Sequence, residues 1–143
     1  MKIKCVSVTH SALPEDILRS EPYYTRDGVF GGITVGNVYV VYGWTVVDNY
    51  AWYYICDNDW ERDRLYPLWY AAPLFEIVDR RVSRYWEIDS SPGERCESQS
   101  GIIVAFHEWV SDPFFYERLT DCDPDAVAVF RKYKRLIDEE FEH

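Results

Sequence analysis

The segment from Val38 to Cys56 constrains the fold more than any other part of the chain. It consists almost entirely of β-branched and aromatic residues, interrupted by Gly43 and by the pair Asp48-Asn49. Residues of this kind favour strands, whereas a glycine inside such a run is typical of a bulge or a bend. Asp-Asn between two apolar runs indicates a hairpin turn. The segment therefore predicts two antiparallel strands joined by a tight turn.

Shorter strand patterns occur on both sides of this hairpin, with turn residues and little helix between them. The sequence thus predicts an α+β fold: a mostly antiparallel β-sheet or a small barrel, followed by a C-terminal helix. We expect a single domain over residues 1–143, with a β-rich body over about 1–110 and a helical segment over about 113–141. One further strand is predicted to begin at Ile3. Three more are predicted over Phe75 to Val78, Arg84 to Asp89 and Ile102 to Val110. The segment from Ser90 to Gly101 is predicted to be a loop.

An amphipathic pattern predicts the C-terminal helix. It follows Asp123-Pro124, a pair that is typical of a helix start. The apolar residues then recur on one helical face and the charged residues lie elsewhere, which predicts about 18 residues of helix lying across the sheet. The acids in its last turn have the unfavourable sign for the helix dipole. The residues that we expect on the apolar face are Val127, Phe130, Tyr133, Ile137 and Phe141.

Charge and cysteine usage limit the classes of function. The formal net charge is −10 at pH 7, and because a polyanion repels phosphate backbones, we expect no nucleic-acid partner. No apolar stretch approaches the ~20 residues of a membrane span, and the N-terminus does not have the pattern of a signal peptide. We therefore expect a cytoplasmic protein with no membrane partner, and the oligomeric state is left open. The isolated cysteines Cys5, Cys56, Cys96 and Cys122 are interpreted as free structural thiols.

The sequence carries no catalytic motif, and we expect neither an enzyme nor a cofactor. The candidate bases are His10 and His107, and neither has a local partner for acid–base catalysis. His107 is followed by Glu108, but in the predicted strand the two side chains would point to opposite faces.

The acidic segment 57–63 has the spacing of acids that is seen in calcium-binding loops. The sixth position of such a loop requires glycine and is Arg62 here, and the twelfth requires glutamate and is Leu68. We therefore expect no metal site and interpret residues 57–64 as a solvated surface loop.

Aromatic side chains are the main surplus in the composition. The chain has six tryptophans and twelve tyrosines, so we expect some rings to face outwards, for example within Trp52-Tyr53-Tyr54. The alternative is that these rings cover the ends of a barrel or lie under the C-terminal helix. Tyr and Trp are favoured at protein interfaces because they bury a large area with little loss of rotamer entropy. The candidate partner-binding residues combine the acidic loop with nearby rings, and they are Asp57, Asp59, Trp60, Glu61, Asp63, Trp69 and Tyr70.

The run Ile33-Thr34-Val35-Gly36-Asn37-Val38-Tyr39-Val40-Val41 resembles the opening of small bacterial SH3-like barrels, in which a turn glycine precedes a strand that contains tyrosine. The residues from Phe75 to Asp79 would be a later strand, and the resemblance spans about residues 30–90. It implies a small SH3-like barrel with a C-terminal helix. The acidic-aromatic motif of eukaryotic peptide-binding SH3 domains is missing.

In its overall profile the chain is similar to bacterial immunity proteins of contact-dependent and polymorphic toxin systems. These proteins neutralise a toxin domain by plugging its active site or by holding it inactive. The resemblance implies a protein-binding function with a basic toxin domain as the partner. The alternative is an SH3-like interaction module or subunit that binds another protein or itself.

Overall fold

The computed structural model describes residues 1–47, 49–89 and 102–142. The pairs between its seven strands are all antiparallel, and three of its four α-helices follow the last strand, which confirms the predicted α+β fold. The strands are β1 (Lys2–Cys5), β2 (Val38–Val47), β3 (Tyr50–Ile55), β4 (Leu68–Ala71), β5 (Phe75–Asp79), β6 (Trp86–Asp89) and β7 (Ile103–Phe106). The helices are α1 (Glu15–Ser20), α2 (His107–Ser111), α3 (Phe115–Thr120) and α4 (Pro124–Glu140), with 3-10 turns at His10–Ala12 and Ala72–Leu74.

Strand β2 is the centre of the sheet. Its first three residues pair with β1, and its residues from Val41 onwards pair with β3 on the opposite edge. Trp44 and Thr45 also pair with β7, so β1 and β7 share one edge of the same long strand. The resulting order is β4-β3-β2-β1-β5, with β7 and β6 as a second arm from β2. The predicted hairpin is confirmed by the pairing of Val47 with Tyr50.

The sheet is open, so the barrel implied by the SH3-like resemblance is not formed. Strands β4 and β5 are the ends of the strand order, and no pairing joins them within the described ranges. The register of β2 against β3 shifts between Val41 and Gly43, which confirms the irregularity predicted at this glycine. A Cβ on Gly43 would lie 3.1 Å from the carbonyl oxygen of Val104, so a side chain here would crowd the backbone of β7. The irregular β2 therefore supports two separate arms along one edge, and the sheet does not close.

The two faces of the sheet carry separate apolar clusters. Alternate residues of β3 illustrate the division, because Tyr53 and Ile55 belong to one cluster and Tyr54 to the other. Side chains from α1 complete the first cluster, and side chains from α2, α3 and α4 complete the second. The expectation that some rings of Trp52-Tyr53-Tyr54 face outwards is wrong, since all three are buried. A sheet covered on both faces has no solvent face for them.

Residues 107–111 form helix α2, so the prediction of a strand as far as Val110 is wrong. Strand β7 ends at Phe106, and Phe106, Trp109 and Val110 are all buried in the second cluster. Their spacing of three and four residues places them on one side of a helical turn. In a strand, Trp109 and Val110 would point to opposite faces, so packing against a single cluster favours the helix.

Helix α4 begins at Pro124, as the sequence predicts. The carboxylate of Asp123 caps it by accepting hydrogen bonds from the backbone N–H groups of Asp125 at 2.9 Å and Ala126 at 3.2 Å. The expected apolar face is confirmed at Phe130 and Ile137, which are fully buried. Val127, Tyr133 and Phe141 lie on the same face, the first two half-buried and the third buried.

None of the helices in the described ranges is long and apolar enough to cross a membrane. The predicted loop from Ser90 to Gly101, together with Cys96, lies outside the described residues.

The fully buried Phe130 gives a test of this packing. We expect Phe130→Ala to lower the free energy of unfolding by about 3–5 kcal/mol, because the truncation leaves a cavity between α4 and the sheet. Chemical denaturation followed by circular dichroism measures this change. Lys132→Ala, at an exposed position two residues further along α4, should change the free energy by less than ~0.5 kcal/mol. Equal effects of the two substitutions would contradict the described packing of α4.

Candidate functional site

The acidic loop of residues 57–64 begins with a buried carboxylate. The side chain of Asp57 is only 1% exposed and accepts three hydrogen bonds. Its donors are the hydroxyl of Tyr70 at 2.6 Å, the guanidinium of Arg64 at 2.8 Å and the backbone N–H of Asp59 at 3.1 Å. Burial and the hydrogen bond to Asp57 raise the pKa of Tyr70 well above its usual value. Asp57 therefore fixes both ends of the loop to strand β4.

Two of the candidate partner-binding residues lie inside this network. Asp57 and Tyr70 are both buried and are bonded to each other, so residues 57–64 are not wholly solvated as the sequence predicts. A carboxylate can be buried when several donors satisfy it, and the sequence pattern does not show which donors are near. Gly32 closes the network from the other side, since a Cβ there would lie 2.6 Å from the Oδ2 atom of Asp57. These residues position the loop and do not form its surface.

Trp60 lies at the tip of the loop and packs on α4. Its ring centroid is 4.6 Å from the ammonium group of Lys134 and 5.7 Å from the guanidinium carbon of Arg131. Such contacts between a cation and an aromatic face are attractive. Glu61 adds an ion pair to Arg131 at 3.1 Å and has a positive φ of 73°, which turns the chain at this point. The loop is thus held at its base by a carboxylate and at its tip by the helix.

The other acids of the loop have cationic neighbours. Asp59 forms a short ion pair with Arg62, and Asp63 lies 3.9 Å from the same guanidinium. Glu61 is likewise paired with Arg131. These ion pairs offset much of the negative charge of the four carboxylates in the loop. The side chains of Glu61 and Asp63 remain 56% and 59% exposed, against 26% for Asp59. The outer surface of the loop therefore presents Glu61, Arg62 and Asp63 beside Trp60, and the Arg62 side chain is 72% exposed.

Trp69, another candidate partner-binding residue, lies in strand β4. It packs against Trp52 with a centroid distance of 4.9 Å and stacks on Tyr54 at 6.0 Å. It is half-buried and contacts both apolar clusters. Trp69 is therefore a part of the core at the sheet edge.

An open cleft of about 330 Å³ lies between Trp60 and α4. The amphipathic pattern places the charged residues of α4 away from the apolar face of the helix, and it does not indicate their proximity to Trp60. The available signal was the concentration of four cations between Arg131 and Arg135 in an otherwise acidic chain. The lining residues are Trp60, Arg131, Lys134, Arg135, Asp138, Glu139 and Glu142.

His10 is buried and has a structural environment. Its Nδ1 atom accepts a hydrogen bond from the backbone N–H of Thr25 at 3.0 Å, and its ring packs against Tyr24 at 4.8 Å and Phe30 at 4.4 Å. A Cβ on Gly28 would overlap the imidazole ring, so the turn fits closely around it. These contacts hold the loop before β2 and leave His10 without an exposed face for substrate.

His107 has a carboxylate neighbour that the sequence did not indicate. It lies at the start of α2, and its Nδ1 atom is 3.0 Å from the carboxylate of Glu87, on β6. The hydrogen bond and the charge of Glu87 raise the pKa of His107 above its usual value. Glu108 points elsewhere and accepts a hydrogen bond from the hydroxyl of Tyr133 at 3.1 Å. Glu87 and Glu108 therefore bond to different side chains, the first to His107 and the second to Tyr133.

Within the described part of the chain, no group of three or more His, Cys, Asp or Glu side chains is arranged to hold a metal ion. Comparisons with protein-family models, with curated proteins and with solved structures find no match to this chain.

Removing the buried carboxylate tests the role assigned to Asp57. We expect Asp57→Ala to lower the free energy of unfolding by about 3–5 kcal/mol, because it leaves the partly buried Arg64 and the hydroxyl of Tyr70 without their acceptor. Asp63→Ala, in the exposed part of the same loop, should change it by less than ~0.5 kcal/mol. Denaturant unfolding measures both values, and a neutral Asp57→Ala would show that the loop does not depend on this network.

The pair of His107 and Glu87 predicts a pH effect. Because the pKa of His107 is raised in the folded state, the pair stabilises the fold fully below the unfolded-state pKa and loses this effect as the pH rises through the folded-state value. We expect Glu87→Gln to lower the pKa of His107 towards the usual value of about 6.5, as followed by NMR titration of its ring protons. Glu76→Gln, on β5, should leave the titration unchanged. A pKa that does not respond to Glu87→Gln would exclude the described pair.

Proposed function

We propose that this chain is an immunity-type protein that binds and neutralises a cognate toxin, with the loop of residues 57–64 as the centre of its binding surface. The observation that carries the proposal is that this acidic loop is held in one conformation around the half-buried Trp60. The proposal assigns no catalytic role to the chain and places its action in the cytoplasm. The free thiols of Cys5, Cys56 and Cys122 agree with a reducing compartment.

The fixed conformation of the loop supports tight binding. Three hydrogen bonds to Asp57 hold its base, and the contacts of Trp60 and Glu61 with α4 hold its tip. A loop that is already ordered loses little conformational entropy on binding, so more of the contact energy appears as affinity. An aromatic ring surrounded by polar groups is also the typical composition of an interface hot spot.

The charges of the surface favour a basic partner. Glu61 and Asp63 are more than half exposed beside Trp60, and the whole chain has a formal net charge of −10. A negative field raises the rate of association with a positively charged surface by roughly tenfold or more. Added salt reduces this increase in rate. A basic toxin domain, for example one whose active cleft binds a polyanion, has the complementary charge.

Under this proposal the candidate residues have different roles. Trp60, Glu61 and Asp63, with the less exposed Asp59, would contact the partner. Asp57 and Tyr70 are buried and would act by positioning the loop. Trp69 is a half-buried core residue of β4 that would act through the packing of the sheet edge.

The experiment is binding to the product of the adjacent gene, measured by surface plasmon resonance or by a comparable kinetic method. We expect Asp59→Lys combined with Glu61→Lys to slow association at least about tenfold and to weaken its salt dependence. Trp60→Ala should mainly accelerate dissociation, by roughly 30-fold, because it removes a buried anchor.

A matched control separates the local surface from the overall charge. Asp27→Lys combined with Glu76→Lys makes the same change in net charge at exposed positions outside the loop. It should affect association less than the loop variant does. Absence of binding to that gene product, or equal effects of the two double variants together with a neutral Trp60→Ala, would overturn the proposed function.

A further inference from the structure

The outer face of α4 carries a charge order that is complementary to itself. Going along the face towards the C-terminus, three cations come first and three carboxylates follow, and all six line the one cleft beside Trp60. The spacing of the carboxylates mirrors the spacing of the cations. When the helix is turned end to end, each carboxylate therefore takes the position of a cation and each cation takes the position of a carboxylate. The residues in chain order are Arg131, Lys134, Arg135, Asp138, Glu139 and Glu142.

We propose that the chain self-associates through this face, as a two-fold dimer in which α4 packs antiparallel to α4 of a second copy. In this arrangement Arg131 lies opposite Glu142 of the second copy, Lys134 opposite Glu139, and Arg135 opposite Asp138. The two-fold axis repeats each pair, as it does in every isologous interface. All six charges of each copy then face an opposite charge. The inference does not depend on the proposed function.

The charge order selects one direction and one register. Parallel helices would place each of these charges beside its own copy, which is repulsive. A shift of one helical turn in one direction brings Lys134 opposite Arg135 of the second copy, and a shift in the other direction brings Asp138 opposite Glu139. Like charges that face each other across an interface are unfavourable, so the unshifted antiparallel pairing is the one that the face specifies.

Within a single copy Arg131 pairs with Glu61, and Asp138 accepts a hydrogen bond from the hydroxyl of Tyr42, but the pairs along the helix itself have an unfavourable order. The pairs of Lys134 with Asp138 at 2.6 Å and of Arg135 with Glu139 at 3.2 Å have the cation on the N-terminal side, which is the less favourable order on a helix. The carboxylates also lie at the negative end of the helix dipole. Glu142 has no ion-pair partner within the residues that the structure describes. The cations of a second copy would compensate for each of these features.

Trp60 supplies the apolar part of the interface. It is half-buried on the side of Arg131 and Lys134, so it lies opposite the Glu139 and Glu142 end of the second copy. Pairing would cover the rest of the ring from solvent. Along the helix the contact spans the nine residue steps from Arg131 to the end of α4 at Glu140, or about 14 Å at 1.5 Å per residue, and Glu142 follows two residues beyond the helix.

Sedimentation equilibrium of the purified chain, over roughly micromolar to millimolar concentrations, tests the inference. At an ionic strength of about 0.01 M we expect a concentration-dependent species of twice the 17.0 kDa of the chain, and about 1 M salt should weaken it strongly. Arg131→Glu and Glu142→Arg should each lower the association constant at least about tenfold, because the two-fold axis makes each change count twice.

The two variants also allow a rescue. An equimolar mixture of Arg131→Glu with Glu142→Arg restores both opposite-charge contacts in a heterodimer, and the double variant restores them in a homodimer. Lys132→Glu makes the same charge change next to Arg131 but outside the cleft, and it should have little effect. Glu142 is exposed, so Glu142→Arg keeps the test valid even where Arg131→Glu destabilises the loop contact.

A chain that remains monomeric at low salt over the whole concentration range would overturn the inference. So would a dimer on which Glu142→Arg has no more effect than Lys132→Glu, or a loss of association that neither the mixture nor the double variant restores. Because no toxin is present in these measurements, their failure would leave the proposed function untouched.

Discussion

Strand β2 forms ladders with three other strands, and the positions of the remaining elements depend on this pairing. Its early residues hold β1, its later residues hold β3, and Trp44 and Thr45 also hold β7. Both edges of β2 are paired, so the neighbouring strands extend the sheet in two arms. Both faces of the sheet carry apolar side chains and are covered by other segments. The N-terminal region and α1 cover one face, and the three C-terminal helices cover the other. The lack of a side chain at Gly43 avoids a tight contact with the backbone of β7.

Several carboxylates of the molecule are neutralised by cationic side chains within the fold. The most acidic loop has one carboxylate buried with an arginine and a tyrosine, and another paired with a cation of α4. A net charge of −10 therefore does not appear as a uniform negative surface. What the loop presents to solvent is a fixed aromatic ring with two exposed acids and the exposed Arg62 at its side, which is a smaller and less acidic surface than its composition suggests.

Helix α4 connects the core to both proposed interactions. Its inner face, with Phe130 and Ile137, is part of the second apolar cluster. Its outer face carries the cations that hold Trp60 and the carboxylates that follow them. A partner bound at the loop and a second copy bound at the cleft would both contact Trp60, so the two associations would compete. The isolated chain would then be the state in which self-association is strongest.

The sequence by itself determined the β2–β3 hairpin, the irregularity at Gly43 and the start of α4, because each depends on neighbouring residues: a β-branched run, a glycine, or a cap before an apolar period. Only the tertiary structure decided which side chains are exposed. Asp57 can be buried because Tyr70 and Arg64 donate hydrogen bonds to it, and residues 107–111 form a helix because one cluster receives Trp109 and Val110. The contact that joins the loop to α4 links residues 70 positions apart. No local pattern encodes such a contact, since it depends on how the sheet brings distant segments together.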